Sequence, residues 1–220
     1  MSKKVTLLLG GSFNPIHKSG HIGSIQHVYH TLNLEGATVH EAWLMPAAHN
    51  PFKPKEGMAD YIDRFNMCEL EADKLPWLST SAFESKIEPP HYTYRVLKEL
   101  TEAYPNRQFI WMMGSDNLRH FHEWEHWDDM IRLLPLVIMA REGSMEQIMG
   151  SVTMREFGIC QKDLSAPFRG GCDIRLMVTK CFPGAATEVR GAIKEGLPTP
   201  HLSHGVRDYI DQRDHLPYHR

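Results

Sequence analysis

Apolar residues along this chain fall either into short continuous runs or into stretches where they recur at three- and four-residue spacing. The runs at 5–9, 41–46, 109–113, 136–141 and 173–178 read as buried strands, with a weaker candidate at 77–81. Helical spacing of Ile22, Ile25, Val28, Tyr29 and Leu32 predicts a helix that begins near Ser19 or Gly20 and ends at Gly36. A second runs from Asp60 to Asp73, with Tyr61, Ile62, Phe65, Cys68 and Ala72 on one face and Arg64 elsewhere. Val96, Leu97 and Leu100 mark a third over Tyr94 to Tyr104, preceded by Pro89 and Pro90 and capped by Thr93 or a neighbour. Further helices are predicted at Met145 to Met149 and Thr187 to Lys194. Val206, Tyr209 and Ile210 share one side of a closing helix, and the rest of 142–171 carries no assignable period. A strand, helix, strand succession of this kind predicts an open parallel α/β sheet with right-handed crossovers.

Ligands of such sheets bind at the carboxyl ends of the strands, so the turns that leave those ends hold the candidate chemistry. The first is Gly10-Gly11-Ser12-Phe13-Asn14-Pro15-Ile16-His17-Lys18-Ser19-Gly20-His21. Gly10 and Gly11 permit close backbone approach, the following helix start aims N–H groups at an anion, and His17 and His21 can donate to phosphate oxygens. The proline-punctuated loop 47–55 brings Lys53 out beside that turn, either as a phosphate ligand or as a solvated lysine. After the fourth strand, Gly114-Ser115-Asp116 offers a carboxylate to ribose hydroxyls or caps a helix. His120, His122 and His126 stand within seven residues, but His-x-His pairs are commonly surface residues, and no metal site is expected. Thr187 and Arg190 open a late helix as an anion site, or serve only as a cap and a surface charge.

Composition narrows the class. The 220 residues are 42% hydrophobic and 23% charged, with formal net charge −3, which gives no basic footprint for nucleic acid. Four widely spaced cysteines, Cys68, Cys160, Cys172 and Cys181, form no Cys-x-x-Cys pair and suit reduced thiols. No signal-peptide pattern and no apolar run near ~20 residues is found, so a cytoplasmic protein with no membrane partner is expected. Neither Gly-x-Gly-x-x-Gly nor a Walker sequence follows a strand, which argues against a dehydrogenase and a Walker-type ATPase.

Taken together, Gly10 to His17 with Gly20-His21, Thr93, the Trp124 and Trp127 pair, and Thr187 with Arg190 resemble the nucleotidyltransferases that carry a His-x-Gly-His signature, and within them the nicotinate mononucleotide adenylyltransferases. The resemblance runs in order from Gly10 to Ile210. It implies a Rossmann-like sheet with helices on both faces in a single domain, 1–220, whose C-terminal helical part, about 185–213, closes the ATP site. It implies AMP transfer from ATP to nicotinate mononucleotide, giving deamido-NAD and pyrophosphate in NAD biosynthesis, with Mg²⁺ accompanying ATP. His21 and His17 would be catalytic. Gly10, Gly11, Ser12, Phe13, Lys53, Gly114, Asp116, Thr187 and Arg190 would bind ATP and its phosphates, while Asn14, Thr93 and Trp124 would meet the mononucleotide. Trp124 would stack on the pyridine ring, whose positive character suits an indole face, and Trp127 would pack in the core.

Four departures accompany the resemblance. Lys18 and Ser19 stand where the family has one residue, and either a small bulge or a shared face of a first helical turn accommodates them. His91 replaces a serine, Ala185 and Ala186 replace two more, and Asn14 stands where many relatives have Asp. The rival readings are a phosphopantetheine adenylyltransferase, disfavoured by the tryptophan pair, and a non-catalytic nucleotide-binding regulator with a degenerate site. Preference between nicotinate and nicotinamide mononucleotide, and the oligomeric state, stay open at this level.

Overall fold

A computed structural model describes residues 3–48, 56–141, 144–158, 164–168, 171–179 and 185–219. The apolar runs become β1 (Lys4–Gly11), β2 (Glu41–Pro46), β3 (Leu78–Thr80), β4 (Arg107–Gly114), β5 (Leu136–Arg141) and β6 (Ile174–Thr179). They form one sheet in the order β3-β2-β1-β4-β5-β6. β1 pairs in parallel with β4, β4 with β5 and β5 with β6, in registers that include Leu7↔Ile110, Met112↔Val137 and Ile138↔Leu176. Leu7, Leu8, Ile110, Val137, Ile138 and Ile174 are fully buried, which is why these strands read as unbroken apolar runs and not as alternating ones. β2 and β3 extend the sheet from one side of β1, while β4 to β6 extend it from the other. That reversal defines a topological switch point.

Between the strands lie α1 (Gly23–Leu34), α2 (Tyr61–Ala72), α3 (Thr93–Ala103), α4 (Ser115–His120), α5 (Trp127–Leu133), α6 (Met145–Met149), α7 (Val152–Glu156), α8 (Ala186–Lys194) and α9 (His204–Asp211). α7 falls in the region where the sequence showed no period. The N-cap of α3 is Tyr92, so Thr93 is a first-turn residue and not the cap. α2 departs further from expectation. Its buried positions are Asp63, Arg64, Met67, Cys68, Glu71 and Ala72, whereas Ile62 is 60% exposed. The inward face accepts charged residues because each finds hydrogen-bond partners, without which burial would cost several kcal/mol.

The chain divides into two compact units, residues 1–9, 27–43 and 92–181 in the first, 10–26, 44–91 and 182–220 in the second. In the first, buried Arg175 grips Asp173 with Nε and Nη2 at 3.0 and 2.9 Å, donates from Nη1 to the carbonyls of Leu164 and Ala166, and lies 3.5 Å over the Phe168 ring. In the second, Tyr209 Oη of α9 donates to Asp63 at 2.9 Å and accepts from Asn66 Nδ2 at 3.0 Å, and Ser203 Oγ donates to Glu71, docking α9 on α2.

Candidate nucleotide site

Within the second unit the chain leaves β1 through a turn shaped by one positive backbone angle. Phe13 has φ 45° and is buried, and its ring rests on the backbone of Gly11, where a Cβ would meet it at 3.2 Å. The same ring stands edge-on to His21 at 5.1 Å. The chain then enters a π turn, Lys18–Ile22, ahead of α1. The two accommodations that the sequence allowed for the extra residue meet in this turn: it carries a one-residue π bulge, and the His17 and His21 rings still lie together, 4.0 Å apart.

Both imidazoles are oriented by the backbone. Gly20 N–H donates to His17 Nδ1 at 3.0 Å, and His17 N–H donates to His21 Nδ1 at 3.2 Å. An Nδ1 that accepts an N–H places the proton of the neutral ring on Nε2. His17 is buried, and loss of hydration, followed by repulsion from His201, lowers its pKa to about 4, against a smaller opposing pull from Glu188. Its ring is therefore a neutral donor near pH 7. Ser12 Oγ is also buried, with no hydrogen-bond partner among the described residues.

Arg190, expected as a phosphate ligand, lies against this turn. Its Nη1 donates to Asn14 O at 2.7 Å and its Nη2 to Thr187 Oγ1 at 3.2 Å, so the second signature is joined to the first. α8 is capped at Ala185, whose N–H donates to Glu188 Oε2 at 3.0 Å; Thr187 is not the cap. The Asn14 side chain is engaged internally. Its Oδ1 accepts from Ala59 N–H at 2.9 Å and Tyr218 Oη at 2.5 Å, and its Nδ2 donates to Gly57 O at 2.8 Å. An amide fits here because one end must accept and the other must donate. Lys53 and its loop, 49–55, lie outside the described residues, as do Cys160 and Cys181.

Three supporting residues escaped the reading of periodicity. Arg64 donates from Nη1 to Ser12 O at 2.8 Å and from Nε to Ala59 O at 3.0 Å, bracing the glycine turn from beneath. Glu84 accepts Ala48 N–H at 2.9 Å, and its burial pushes the carboxyl pKa up to about 7 despite that bond and Arg64 nearby. Tyr218, fully buried near the end of the chain, holds Asn14. The only available signal was a charged pair, Asp63 and Arg64, at the position where the Met67, Cys68, Glu71, Ala72 stripe repeats.

The first unit contains the remaining expected residues. Asp116 is exposed in the first turn of α4, and its carboxylate lies over Gly114, where a Cβ would come within 2.3 Å of Oδ1 and displace it. Thr93 is half-buried in α3. Trp124 is half-buried and stands edge-on to Phe121 at 5.4 Å; Trp127 packs on Phe121 and Phe157 at 6.0 and 5.6 Å. His120 meets Glu123 at 3.0 Å and His126 meets Asp129 at 3.1 Å.

A parallel sheet with a switch point, and a glycine-histidine turn after its first strand, define a nucleotidyltransferase, and the cytidylyltransferase-like family matches residues 8–188. Similar chains name the branch. A protein of Shewanella woodyi named "Probable nicotinate-nucleotide adenylyltransferase" is 30% identical over 211 residues, 94% of this chain and 96% of that protein. One of Erythrobacter litoralis with the same name is 36% identical over 149 residues, 68% of this chain and 64% of the relative. The chain thus belongs to the nicotinate-nucleotide adenylyltransferase family. A solved structure of Plasmodium falciparum nicotinic acid mononucleotide adenylyltransferase complexed with NaAD shares the fold, with TM-score 0.69 over 98% of each chain at 17% identity. Among the described residues, no helix is long and apolar enough to cross a membrane.

Proposed function

We propose that this protein transfers AMP from ATP to nicotinate mononucleotide, the activity for which its family is named, releasing pyrophosphate and forming deamido-NAD for NAD biosynthesis. An oxygen of the mononucleotide 5′-phosphate attacks the α-phosphorus in line, and the bond from that phosphorus to the bridging oxygen of the β-phosphate breaks. The attacking phosphate is already anionic, so no general base is required. The protein's work is alignment of two anions and stabilisation of the charge that develops on them.

The observation that carries this reading is the pair of backbone-oriented imidazoles. Proton on Nε2 in each ring makes His17 and His21 hydrogen-bond donors set side by side. His21 is assigned to the α-phosphate in the transition state, and His17 to phosphate oxygens. The backbone at Gly10, Gly11 and Phe13, the Ser12 hydroxyl, Lys53, and Thr187 with Arg190 are assigned to the triphosphate. Gly114 and Asp116 serve the adenosine, and Thr93 and Trp124 the nicotinate. Asn14 acts on the mononucleotide by fixing the turn that receives it. Mg²⁺ accompanying ATP would offset charge on the triphosphate that the residues named above are assigned to hold. A cytoplasmic location suits these substrates.

The test is pyrophosphate release from MgATP with nicotinate mononucleotide, nicotinamide mononucleotide and phosphopantetheine run in parallel. Fast release with the first supports the reading. Release only with phosphopantetheine moves the protein to the rival branch, and silence with all three makes it a binding protein.

A further inference from the structure

Lys18 and Ser19 separate His17 from Gly20, one residue more than the family spacing. A π turn encloses one residue more than an α turn and occurs mostly as a single turn, frequently at functional sites. Here His17 O is shared between His21 N–H at 3.2 Å and Ile22 N–H at 3.4 Å, and Gly23 N–H is shared between Lys18 O and Gly20 O, so α-type and π-type bonds coexist and the surplus residue is absorbed while the two rings stay 4.0 Å apart. Such a turn competes with ordinary α geometry, which would rotate His21 relative to His17. Support from outside the turn decides between them.

His201 supplies such support. Lys18 N–H donates to His201 O at 2.8 Å, and Ser19 Oγ shares a hydrogen bond with His201 Nδ1 at 3.0 Å. His201 is itself held firmly. Leu202 beside it is buried and donates its N–H to Thr199 O at 3.0 Å, and Ser203 caps α9 by accepting Val206 N–H. The anchors therefore fall on the two residues of the lengthened segment, and both lead to the same histidine. No signature that the sequence resembles includes His201.

We propose that His201 is a positioning residue of the phosphate-binding turn, holding through Lys18 and Ser19 the π turn that sets His17 beside His21, and so offsetting the residue by which this turn exceeds the family spacing. The adenylyl-transfer reading enters only the kinetic half of its test.

The test compares the wild-type chain with His201→Ala, His201→Asn, Ser19→Ala and the double variant Ser19→Ala/His201→Ala. His201→Ala should lower kcat for pyrophosphate release at least ~10-fold with little change in either KM, because it disturbs groups that act in the transition state. His201→Asn, whose amide reaches the former place of Nδ1, should recover most of that loss. Ser19→Ala should lower kcat in the same sense, and the double variant should lose less than the product of the two single losses, since both break one link. Histidine ¹⁵N spectra without substrate give a second readout: Nε2–H rings for His17 and His21 in wild type and His201→Asn, mixed tautomers in His201→Ala. Unchanged kcat and spectra in His201→Ala, or losses that multiply in the double variant, would overturn the proposal. A wild type silent with nicotinate mononucleotide overturns the reading of the reaction instead, and the ring spectra then decide the role of His201.

Discussion

Arg190 donates from Nη1 to the main-chain oxygen of Asn14 at 2.7 Å, across 176 positions of sequence. This one bond fixes where the guanidinium of the late signature lies relative to the glycine-histidine turn of the early one. The role proposed for Arg190 rests on that placement. Arg190→Ala should reduce kcat/KM for MgATP by ~10–100-fold, the range for losing a hydrogen-bonded charge on an anion. Arg190→Lys should recover only part, as an ammonium cannot make both bonds of the planar fork. An unchanged kcat/KM for ATP in Arg190→Ala would remove the residue from the phosphate site.

His21→Ala should lower kcat by ~10² or more and leave mononucleotide binding largely intact, as expected when a donor to the transition state is lost. Single-turnover kinetics with a binding titration would check this. Turnover within a few-fold of wild type would refute the catalytic assignment.

His17 should titrate near pH 4 when its ring is followed by NMR. Its folded pKa lies below the usual value near 6.5, so the folded state resists protonation. The stability contributed by the neutral ring is complete above ~6.5 and declines as pH falls toward 4. The pH profile of kcat/KM should accordingly show no acid limb near 6.5 from this residue. A His17 midpoint near 6.5 would contradict its dry setting.

Glu84→Gln offers the opposite sign. The wild-type carboxyl is pushed up to about 7 in the folded protein, so it favours the protonated form and weakens the fold as pH rises from ~4.5 toward 7. Glutamine keeps an acceptor for Ala48 N–H without the charge. The variant should match wild type at pH 4.5 and gain about 1–3 kcal/mol at pH 8, or ~2–4 °C in Tm for each kcal/mol. Thermal unfolding at both pH values decides it, and a variant less stable at pH 8 would show that the charge is favourable where it sits.

Tyr218→Phe removes the hydroxyl that donates to Asn14 Oδ1 but leaves the ring and the Ala59 N–H bond in place. The expected loss is about 1 kcal/mol, read as a Tm lowered by ~2–4 °C. No change would mean that the end of the chain does not brace the turn in solution.

Gly114→Ala should act on function more than on stability. Its new Cβ would lie 2.3 Å from Asp116 Oδ1, and because Asp116 is exposed, its carboxylate can swing aside at little cost to the fold. The KM for ATP should rise several-fold while the stability to unfolding stays within about 1 kcal/mol of wild type. A normal KM would mean that Asp116 does not depend on Gly114 for its place.

Much of this was readable in the sequence because it depends on neighbours along the chain. Apolar runs marked five of the six strands closely, since a strand covered on both faces has no polar alternation to blur it. The glycine-histidine turn carried its own chemistry in twelve consecutive residues. Ser203 and Ser151 cap α9 and α7 by accepting an N–H three residues on, although the reading of the sequence had marked neither. Where the reading failed, a polar residue stood in an apolar stripe. Arg64 looked like a surface position, and only the carbonyls of Ser12 and Ala59, fixed by other segments, make its burial affordable.

By itself, then, the sequence determined the parallel α/β architecture, the first and second signatures and the residue types that nucleotide chemistry needs, because each is written in local spacing. Tertiary structure decided the rest. How the extra residue between His17 and Gly20 would be accommodated depended on contacts such as that of Ser19 with His201, 182 positions away, and whether Asn14 would face outward or inward depended on Gly57, Ala59 and Tyr218. Hydrogen bonds between segments distant in sequence leave no period in it, so their outcome exists only once the chain has folded.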